Sequence, residues 1–216
     1  MREIEFVKPM EIEARSFAII TQILEELGKT PEEAVAPVLK RVIHTTADFD
    51  YADNLLFSPG AVEAGLDALR SGCDIVTDTQ MARAGINKPA LERLGGAVCC
   101  FMSDPDVAEA AKTRGVTRAA VCMEKAAELN RPCIFAIGNA PTALIRLREL
   151  LDAGAFSPGC APALIIGVPV GFVNVVESKE LILETDTPHI VARGRKGGSN
   201  VAAAICNALL YQLGRP

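Results

Sequence analysis

Five short runs of apolar residues, with few charges, recur along this chain of 216 residues. They are CDIVTD (73 to 78), AVCCFM (97 to 102), PCIFAIG (132 to 138), ALIIGVP (163 to 169) and HIVARG (189 to 194). Such runs are typical of strands that are buried on both faces of a parallel sheet. Because parallel strands need long crossover connections, the sequence between the runs should form helices.

Helix signals occur both before the first of these runs and between them. The predicted N-caps are Thr30, Ser58 and Asp104, and the predicted helix ends lie near His44, Gly72 and Gly115. Strands that alternate with helices predict an α/β fold with a doubly wound, mainly parallel sheet of about five strands. Since no repeat or long linker divides the chain, residues 1–216 are expected to form a single domain.

Charge and cysteine content narrow the class of protein. The 27 acidic residues outnumber the 22 basic ones, so no global field favours nucleic acid or an anionic membrane. The seven cysteines lack CxxC spacing and lie mostly in apolar runs, which is typical of reduced thiols in a cytoplasmic protein.

Two segments invite a targeting or membrane interpretation. The stretch 156–176 is uncharged and approaches the length of a bilayer span, but three prolines interrupt it. A loop, a buried strand, a Pro-Gly turn and the start of a helix are therefore expected there. The first residues alternate charged and apolar side chains, which is not the pattern of a signal peptide.

Ligands of doubly wound sheets bind beyond the carboxyl ends of the strands. The segments that follow predicted strands are 78–80, 138–142, 168–172 and 193–199, and they should share one rim of the sheet. In the last of them, RGRKGGS, the side chains of Arg193, Arg195 and Lys196 stand beside two glycines, which suits several carboxylates or a phosphate. A solvated basic turn is the alternative.

A second strand end, GNAPTAL, opens a predicted helix that Asn139 would cap. Free amide groups at that helix start would bind an anion or a carboxylate. An ordinary turn is the alternative. Because neither GxxxxGK[ST] nor GxGxxG occurs in the chain, a nucleotide site would depend on fold analogy alone.

One of the two histidines, His44, stands at a predicted helix end in RVIHTTADFDY. The residues after it, Thr45, Asp48 and Asp50 among them, offer partners that would orient the imidazole for proton transfer. The alternative is a packed histidine bonded to a helix-terminal carbonyl. His189 begins a predicted strand and is expected to be structural. No metal site is expected, because two distant histidines and scattered cysteines lack ligand spacing.

Arginines accompany this histidine. Arg41 lies three residues before His44 on the same helical face, and EARSF places Arg15 and Ser16 in an amphipathic helix. An arginine beside a proton donor suits an acidic substrate. A salt bridge from Arg41 to a surface glutamate is the alternative.

Six blocks of the chain together resemble one protein family. They are EARSFAII, RVIHTTADFDYADNLLFSPGAVEAG, CDIVTDTQM, AIGNAPTAL, GVPVGFVNVVESK and RGRKGGS, in this order. The blocks are similar to those of the precorrin-8X methylmutases, also called cobalt-precorrin-8 methylmutases. The resemblance implies an isomerase of cobalamin biosynthesis that moves one methyl group between adjacent carbons of a tetrapyrrole. It also implies a flavodoxin-like sheet, a homodimer with active sites near the dimer interface, and no cofactor.

The same resemblance implies roles for individual residues. The proton-handling histidine falls on His44, and substrate contacts fall on Ser16, Arg41 and Arg118. The residues themselves add further candidates: Thr45, Asn139, Arg193, Arg195 and Lys196 as substrate contacts, and Arg15, Asp48 and Asp50 as supporting residues. The expected partners are a small tetrapyrrole and a second copy of the chain, with no nucleic acid and no membrane.

Two alternatives to an enzyme remain. A corrinoid carrier would bind the same ligand without chemistry. A flavodoxin-like protein that binds a nucleotide or a phosphate would use the glycines at the strand ends. Turnover of the tetrapyrrole distinguishes the enzyme from the carrier, and stabilisation by nucleotides distinguishes it from the phosphate-binding protein.

Overall fold

All five predicted strands form, and one further strand completes the sheet. The structure, a computed structural model, describes residues 8–157 and 161–214. Its strands are β1 (Leu55–Phe57), β2 (Asp74–Thr77), β3 (Val98–Cys99), β4 (Cys133–Ile137), β5 (Pro162–Gly167) and β6 (His189–Ala192). They lie in the order β1-β6-β5-β4-β2-β3. Every neighbouring pair is parallel except β1 and β6, which are antiparallel.

The sixth strand, β1, was missed by the sequence analysis, which expected about five strands. It has only three residues and stands at the edge of the sheet. Its place is set by distant pairing, in which Leu55 lies opposite Ala192 and Phe57 opposite Ile190. Because the pairing partner is so far away in the sequence, the local pattern LLF does not distinguish a strand from a short apolar turn.

Helices cover both faces of the sheet. After a 3-10 turn at Pro9–Glu11 they are α1 (Ile12–Glu26), α2 (Ala36–Thr46), α3 (Tyr51–Asn54), α4 (Ala61–Arg70), α5 (Gln80–Gly85), α6 (Lys88–Arg93), α7 (Pro105–Arg114), α8 (Arg118–Ala127), α9 (Pro141–Asp152), α10 (Val175–Leu183) and α11 (Ser199–Gln212). Side chains from α1, α2, α4 and α11 pack in one core, and those from α7 to α10 pack in a second core. Alternate residues of the strands enter the two cores, as the period of a strand requires.

The predicted helix ends were right for α7 and wrong at two N-termini. α7 follows Asp104 and ends at Gly115, which adopts the left-handed conformation. The second helix does not begin after Thr30, because Pro37 lies in its first turn and a proline is not tolerated further inside a helix. Ser58 does not cap α4 either; Gly60 precedes that helix, and the Ser58 hydroxyl accepts the amide hydrogen of His189 at 2.8 Å.

The cysteine thiols are core groups, as the apolar runs predict. Four described cysteines are buried and two are partly exposed, and all six are free thiols; Cys160 lies outside the described residues. Burial raises the pKa of Cys73, Cys122 and Cys206 to about 12. These thiols therefore remain protonated near neutral pH and are poor nucleophiles.

The uncharged stretch forms β5, a loop and the start of α10, as expected; Pro158 lies outside the described residues. Within the described part of the chain, no helix has the length and apolar character that crossing a bilayer requires.

The loops that follow three strands touch one another at a single edge. Gly138, after β4, lies against the start of α11: a Cβ atom at Gly138 would stand 2.6 Å from the Cα atom of Ser199. Gly197, after β6, approaches the carbonyl oxygen of Val168, which follows β5. Only glycine permits such close approach of one main chain to another. The predicted shared rim is therefore present.

Replacing Gly138 with alanine should destabilise the protein by about 1–3 kcal/mol, because the new methyl group meets main-chain atoms that cannot rotate away. Gly167→Ala is the matched control in the neighbouring strand, since its methyl group would meet only side chains at 3.4 Å or more. Chemical denaturation measures both free energies of unfolding. Equal losses for the two variants would contradict the close approach at Gly138.

Candidate active site

The segment 193–198, here called the basic loop, joins β6 to α11 and carries three exposed cations. Arg193 donates two hydrogen bonds to Glu180, at 2.9 and 2.8 Å. Arg195 donates to the carbonyl oxygen of Phe172 at 2.9 Å and lies 5.4 Å from the centre of that ring. These two arginines therefore have defined partners, although their side chains remain exposed to solvent.

The third cation, Lys196, connects the basic loop to the residues after His44. Its Nζ atom donates to carboxylate oxygens of Asp48 and Asp50, each at 2.6 Å. The two aspartates raise the pKa of Lys196, and the ammonium group in turn lowers the pKa of Asp48. The two aspartates lie in the turn that follows α2. A hydrogen bond stabilises this turn, since the Asp48 carboxylate accepts the amide hydrogen of Asp50 at 3.0 Å. The aspartates therefore contact the basic loop and not the imidazole that they were expected to orient.

A phenylalanine that the sequence analysis did not single out supports both His44 and Arg41. The imidazole of His44 stacks on the ring of Phe17, with 5.3 Å between ring centres and 21° between planes. The guanidinium group of Arg41 lies 4.7 Å from the centre of the same ring and 5.2 Å from that of Tyr211. One aromatic side chain on α1 thus fixes two predicted site residues on α2.

Arg41 is also paired with a carboxylate. Its guanidinium group donates to Glu13 on α1, and only 13% of the Arg41 side chain is exposed. This is the glutamate pair that stood as the alternative for Arg41. The pair and the two rings hold the guanidinium group at the surface between α1, α2 and α11, beside a groove of about 370 Å³ that Phe17, Arg41 and Tyr211 help to line.

The hydroxyl groups near His44 are bonded to their own helices. Ser16 donates to the carbonyl oxygen of Ile12 at 2.9 Å, and Thr45 donates to that of Arg41 at 3.0 Å. Arg15 is exposed on α1. The imidazole of His44 is exposed, and no hydrogen bond joins it to any residue that the structure describes. Its ring nitrogens therefore face solvent or a ligand, which contradicts the alternative of a histidine bonded to a helix-terminal carbonyl.

His189 has the structural place expected of it. It is buried at the start of β6, and its Nδ1 atom lies 2.9 Å from the carbonyl oxygen of Thr187.

The amide groups of residues 138–140, between β4 and α9, are not free. The buried carboxylate of Asp78 accepts the amide hydrogens of Gly138, Asn139 and Ala140 at 2.9, 2.8 and 2.6 Å. Burial raises the pKa of Asp78, and the three amide groups hold part of that rise back. The predicted anion site at these amides is wrong, because the protein supplies its own carboxylate there. Nor is Asn139 the cap; Ala140 is the residue before α9.

Arg118 lies apart from the other candidates. It is the first residue of α8, whose side chains pack in the second core, whereas α2 packs in the first. A hydrogen bond of 2.8 Å between the hydroxyls of Thr117 and Thr142 ties the start of α8 to the start of α9. Within one chain, Arg118 and His44 are therefore on opposite faces of the sheet.

The described residues include the exposed imidazole of His44, the guanidinium group of Arg41 over the rings of Phe17 and Tyr211, and the basic loop. Such a set suits acid–base chemistry on a ligand that carries carboxylates. Among the residues in 8–157 and 161–214, no three His, Cys, Asp or Glu side chains lie close enough together to bind a metal ion. Phe17, Glu13 and Tyr211 were not predicted from the sequence, since each acts through a contact distant in the sequence. Asp78 was predicted at the rim, but its bonds to the amides of residues 138–140 were not.

Comparison with known proteins gives one consistent answer. The model of the precorrin-8X methylmutase family matches residues 11–212. A cobalt-precorrin-8 methylmutase of Salmonella typhimurium is 49% identical over 95% of this chain and 96% of its own length. A precorrin-8X methylmutase of Pseudomonas aeruginosa is 45% identical over 78% of this chain and 80% of its own. The crystal structure of the precorrin-8X methylmutase from Thermus thermophilus superposes with a TM-score of 0.81 at 40% identity, over 93% of this chain and 96% of that one.

Asp78→Asn should destabilise the protein by about 2–3 kcal/mol, because an amide side chain cannot accept all three amide hydrogens that the buried Asp78 carboxylate now accepts. Asp152→Asn on α9 is the control: its carboxylate is 60% exposed, and its loss should cost less than about 0.5 kcal/mol. The free energy of unfolding in urea measures both. A D78N variant as stable as the wild type would show that the carboxylate does not hold the start of α9.

Proposed function

This chain belongs to the precorrin-8X methylmutase family, isomerases of cobalamin biosynthesis, and on that premise we propose that its active site is the surface around His44, Arg41 and the basic loop. The observation that carries this proposal is the exposed imidazole of His44, stacked on the ring that also supports Arg41. The substrate is precorrin-8X or its cobalt complex, since names of both kinds occur among the relatives.

The chemistry of the substrate fits the residues at this rim. A corrinoid acid is a largely apolar ring system with carboxylate arms. Arg41, Arg195 and Lys196 supply cations for the arms, while Phe172, 83% exposed beside Arg195, supplies an apolar surface for the ring. Because the chain has a net negative charge, an acidic ligand binds favourably only at a local cluster of cations such as this one.

In the proposed mechanism, His44 donates a proton or a strong hydrogen bond to the conjugated ring system. This favours the electronic form from which the methyl group migrates to the adjacent carbon. The carbon–methyl bond breaks and re-forms within one molecule, so the reaction needs no methyl donor and no oxidant. His44 recovers its proton when the product forms.

His44→Ala should lower the turnover of precorrin-8X or cobalt-precorrin-8 by about two to four powers of ten, which is the usual contribution of a positioned acid or base. Folding should be unchanged because the side chain is exposed. Visible absorbance follows the rearrangement, and a titration with the product corrinoid checks that binding persists. Normal turnover by the variant would exclude His44 as the proton donor. Binding without turnover by the wild type would instead identify a carrier.

We also propose that the enzyme works as a homodimer in the cytoplasm, without nucleic acid, and that residues 1–216 form one domain. A second copy accounts for Arg118, which lies on the opposite face from His44 of its own chain. In a twofold dimer with active sites near the interface, Arg118 of one copy can approach His44 of the other.

Mixing two inactive variants tests this arrangement. His44→Ala and Arg118→Ala, unfolded and refolded together, should recover about a quarter of wild-type activity, since half of the dimers are mixed and each mixed dimer has one intact site. Each variant refolded alone is the control. No recovery, with mixed dimers shown by mass spectrometry, would place both residues in one site of one chain. Full activity of Arg118→Ala alone would exclude Arg118. A monomeric mass in solution would exclude the dimer.

A further inference from the structure

Lys179, on α10, has an unusual environment for a lysine. Its side chain is completely buried. Its Nζ atom donates to the carbonyl oxygens of Gly194 and Lys196, both at 2.8 Å. Within the ranges that the structure describes, no carboxylate forms an ion pair with it. Two main-chain carbonyl groups of the basic loop are thus its partners.

Stability alone does not explain this lysine. Taking an ammonium group out of water costs several kcal/mol, and two neutral carbonyl groups offset only part of that cost. The cost is visible in its acidity, because burial lowers the pKa of Lys179 to about 8. An unbranched apolar side chain of similar length would fill the same space without desolvating a charge. Buried groups of this kind are common at functional sites.

The carbonyl groups that Lys179 binds belong to a segment with little conformational preference of its own. Gly194, Gly197 and Gly198 all have positive φ angles, of 80°, 158° and 136°. Three such glycines leave the free basic loop many alternative shapes. Two hydrogen bonds to one buried ammonium group select a single shape by fixing the carbonyl groups of residues 194 and 196.

That shape determines where the side chain of Lys196 can reach. The Lys196 carbonyl group points inward to Lys179, and its ammonium group extends to Asp48 and Asp50. These aspartates form the turn directly after α2, the helix whose last turn contains His44. A continuous set of hydrogen bonds therefore leads from Lys179 through Lys196 to the segment that follows His44.

We propose that Lys179 is a positioning residue for the methyl migration: it holds the main chain of the basic loop so that Lys196 bridges to the turn after His44 and Arg195 faces the substrate. The inference rests on the proposed active site. Lys179 does not touch the substrate in this arrangement, because its side chain lies wholly beneath the loop.

The test compares Lys179→Met, Lys179→Gln and the control Lys125→Met. Methionine keeps the length of the chain but removes the donors, whereas glutamine retains two N–H donors. We expect K179M to lower kcat/KM by about 10- to 100-fold, the loss that a small misplacement of a site causes. K179Q should recover part of this loss. Lys125 is paired with Asp104 and Asp106 on the other face of the sheet, so K125M should keep wild-type turnover.

A double substitution shows whether Lys179 acts through Lys196. If it does, K179M lowers activity little further in a K196M background, because the bridge to Asp48 and Asp50 is already lost. Independent, multiplying losses would overturn the proposal. Wild-type kcat/KM in K179M would also overturn it. The same holds if K179M and K179Q lose equal activity and that loss matches the fraction of unfolded protein.

Limited trypsin digestion provides a readout that does not depend on the reaction. Trypsin cleaves after Arg193, Arg195 and Lys196, and a loosened loop in K179M should be cut several-fold faster there than in wild type or K125M. If the wild type fails to rearrange the tetrapyrrole, the proposed function is wrong and the role in methyl migration falls with it. Equal cleavage of wild type and K179M shows that Lys179 does not hold the loop, and this overturns the inference whatever the activity.

Discussion

The ion pairs between Lys196 and the carboxylates of Asp48 and Asp50 connect parts of the chain that are 148 and 146 residues apart. They join the turn after α2 to the loop after β6, and so hold the segment that follows His44 beside the basic loop. Their contribution to stability is small, because the Lys196 side chain is 44% exposed and exposed pairs are screened by solvent. Their importance is geometric: they determine which groups face a ligand together.

The interior of the rim places these surface contacts. Gly138 lets the start of α11 approach β4. The carboxylate of Asp78 accepts hydrogen bonds from amide groups before α9 that could otherwise bind an anion. Lys179 fixes the basic loop from below. The buried groups thus satisfy the main chain, while the cations of the basic loop and the imidazole of His44 stay exposed at the surface. A doubly wound sheet is well suited to this division, because its strand-end loops meet at one edge.

The sequence predicted the parts of this arrangement that depend on local pattern. Buried strands such as PCIFAIG are recognisable because apolar runs of that length have few other uses, and the RGRKGGS cations follow a strand. Edge strand β1 was not predictable in the same way, since three residues become a strand only by pairing with β6. The predicted start of α2 at Thr30 was wrong. Thr30 is a favourable N-cap residue, but Pro37 must lie in the first turn of the helix, so the helix begins close to Pro37.

For the site, the sequence identified residue types but not their partners. Asp48 and Asp50 were expected beside His44, yet they bind Lys196, and Arg41 is held by Glu13 and two rings. Phe17 left no separate signal, because an apolar residue on an amphipathic helix is usually a core residue. Its role appears only when α1 and α2 are packed together. The reaction was inferred from the resemblance to a family, because no local pattern in this chain specifies a methyl migration.

A crystal structure of the protein with hydrogenobyrinic or cobyrinic acid bound would locate the active site directly. We expect the ring system to lie between His44 and Phe172, with an imidazole nitrogen of His44 within hydrogen-bond distance of the ring or its methyl-bearing edge. The carboxylate arms should contact Arg195 and Arg41. A corrinoid bound away from His44, for example wholly beyond Arg41 in the groove between α1 and α11, would contradict the assignment of the active site.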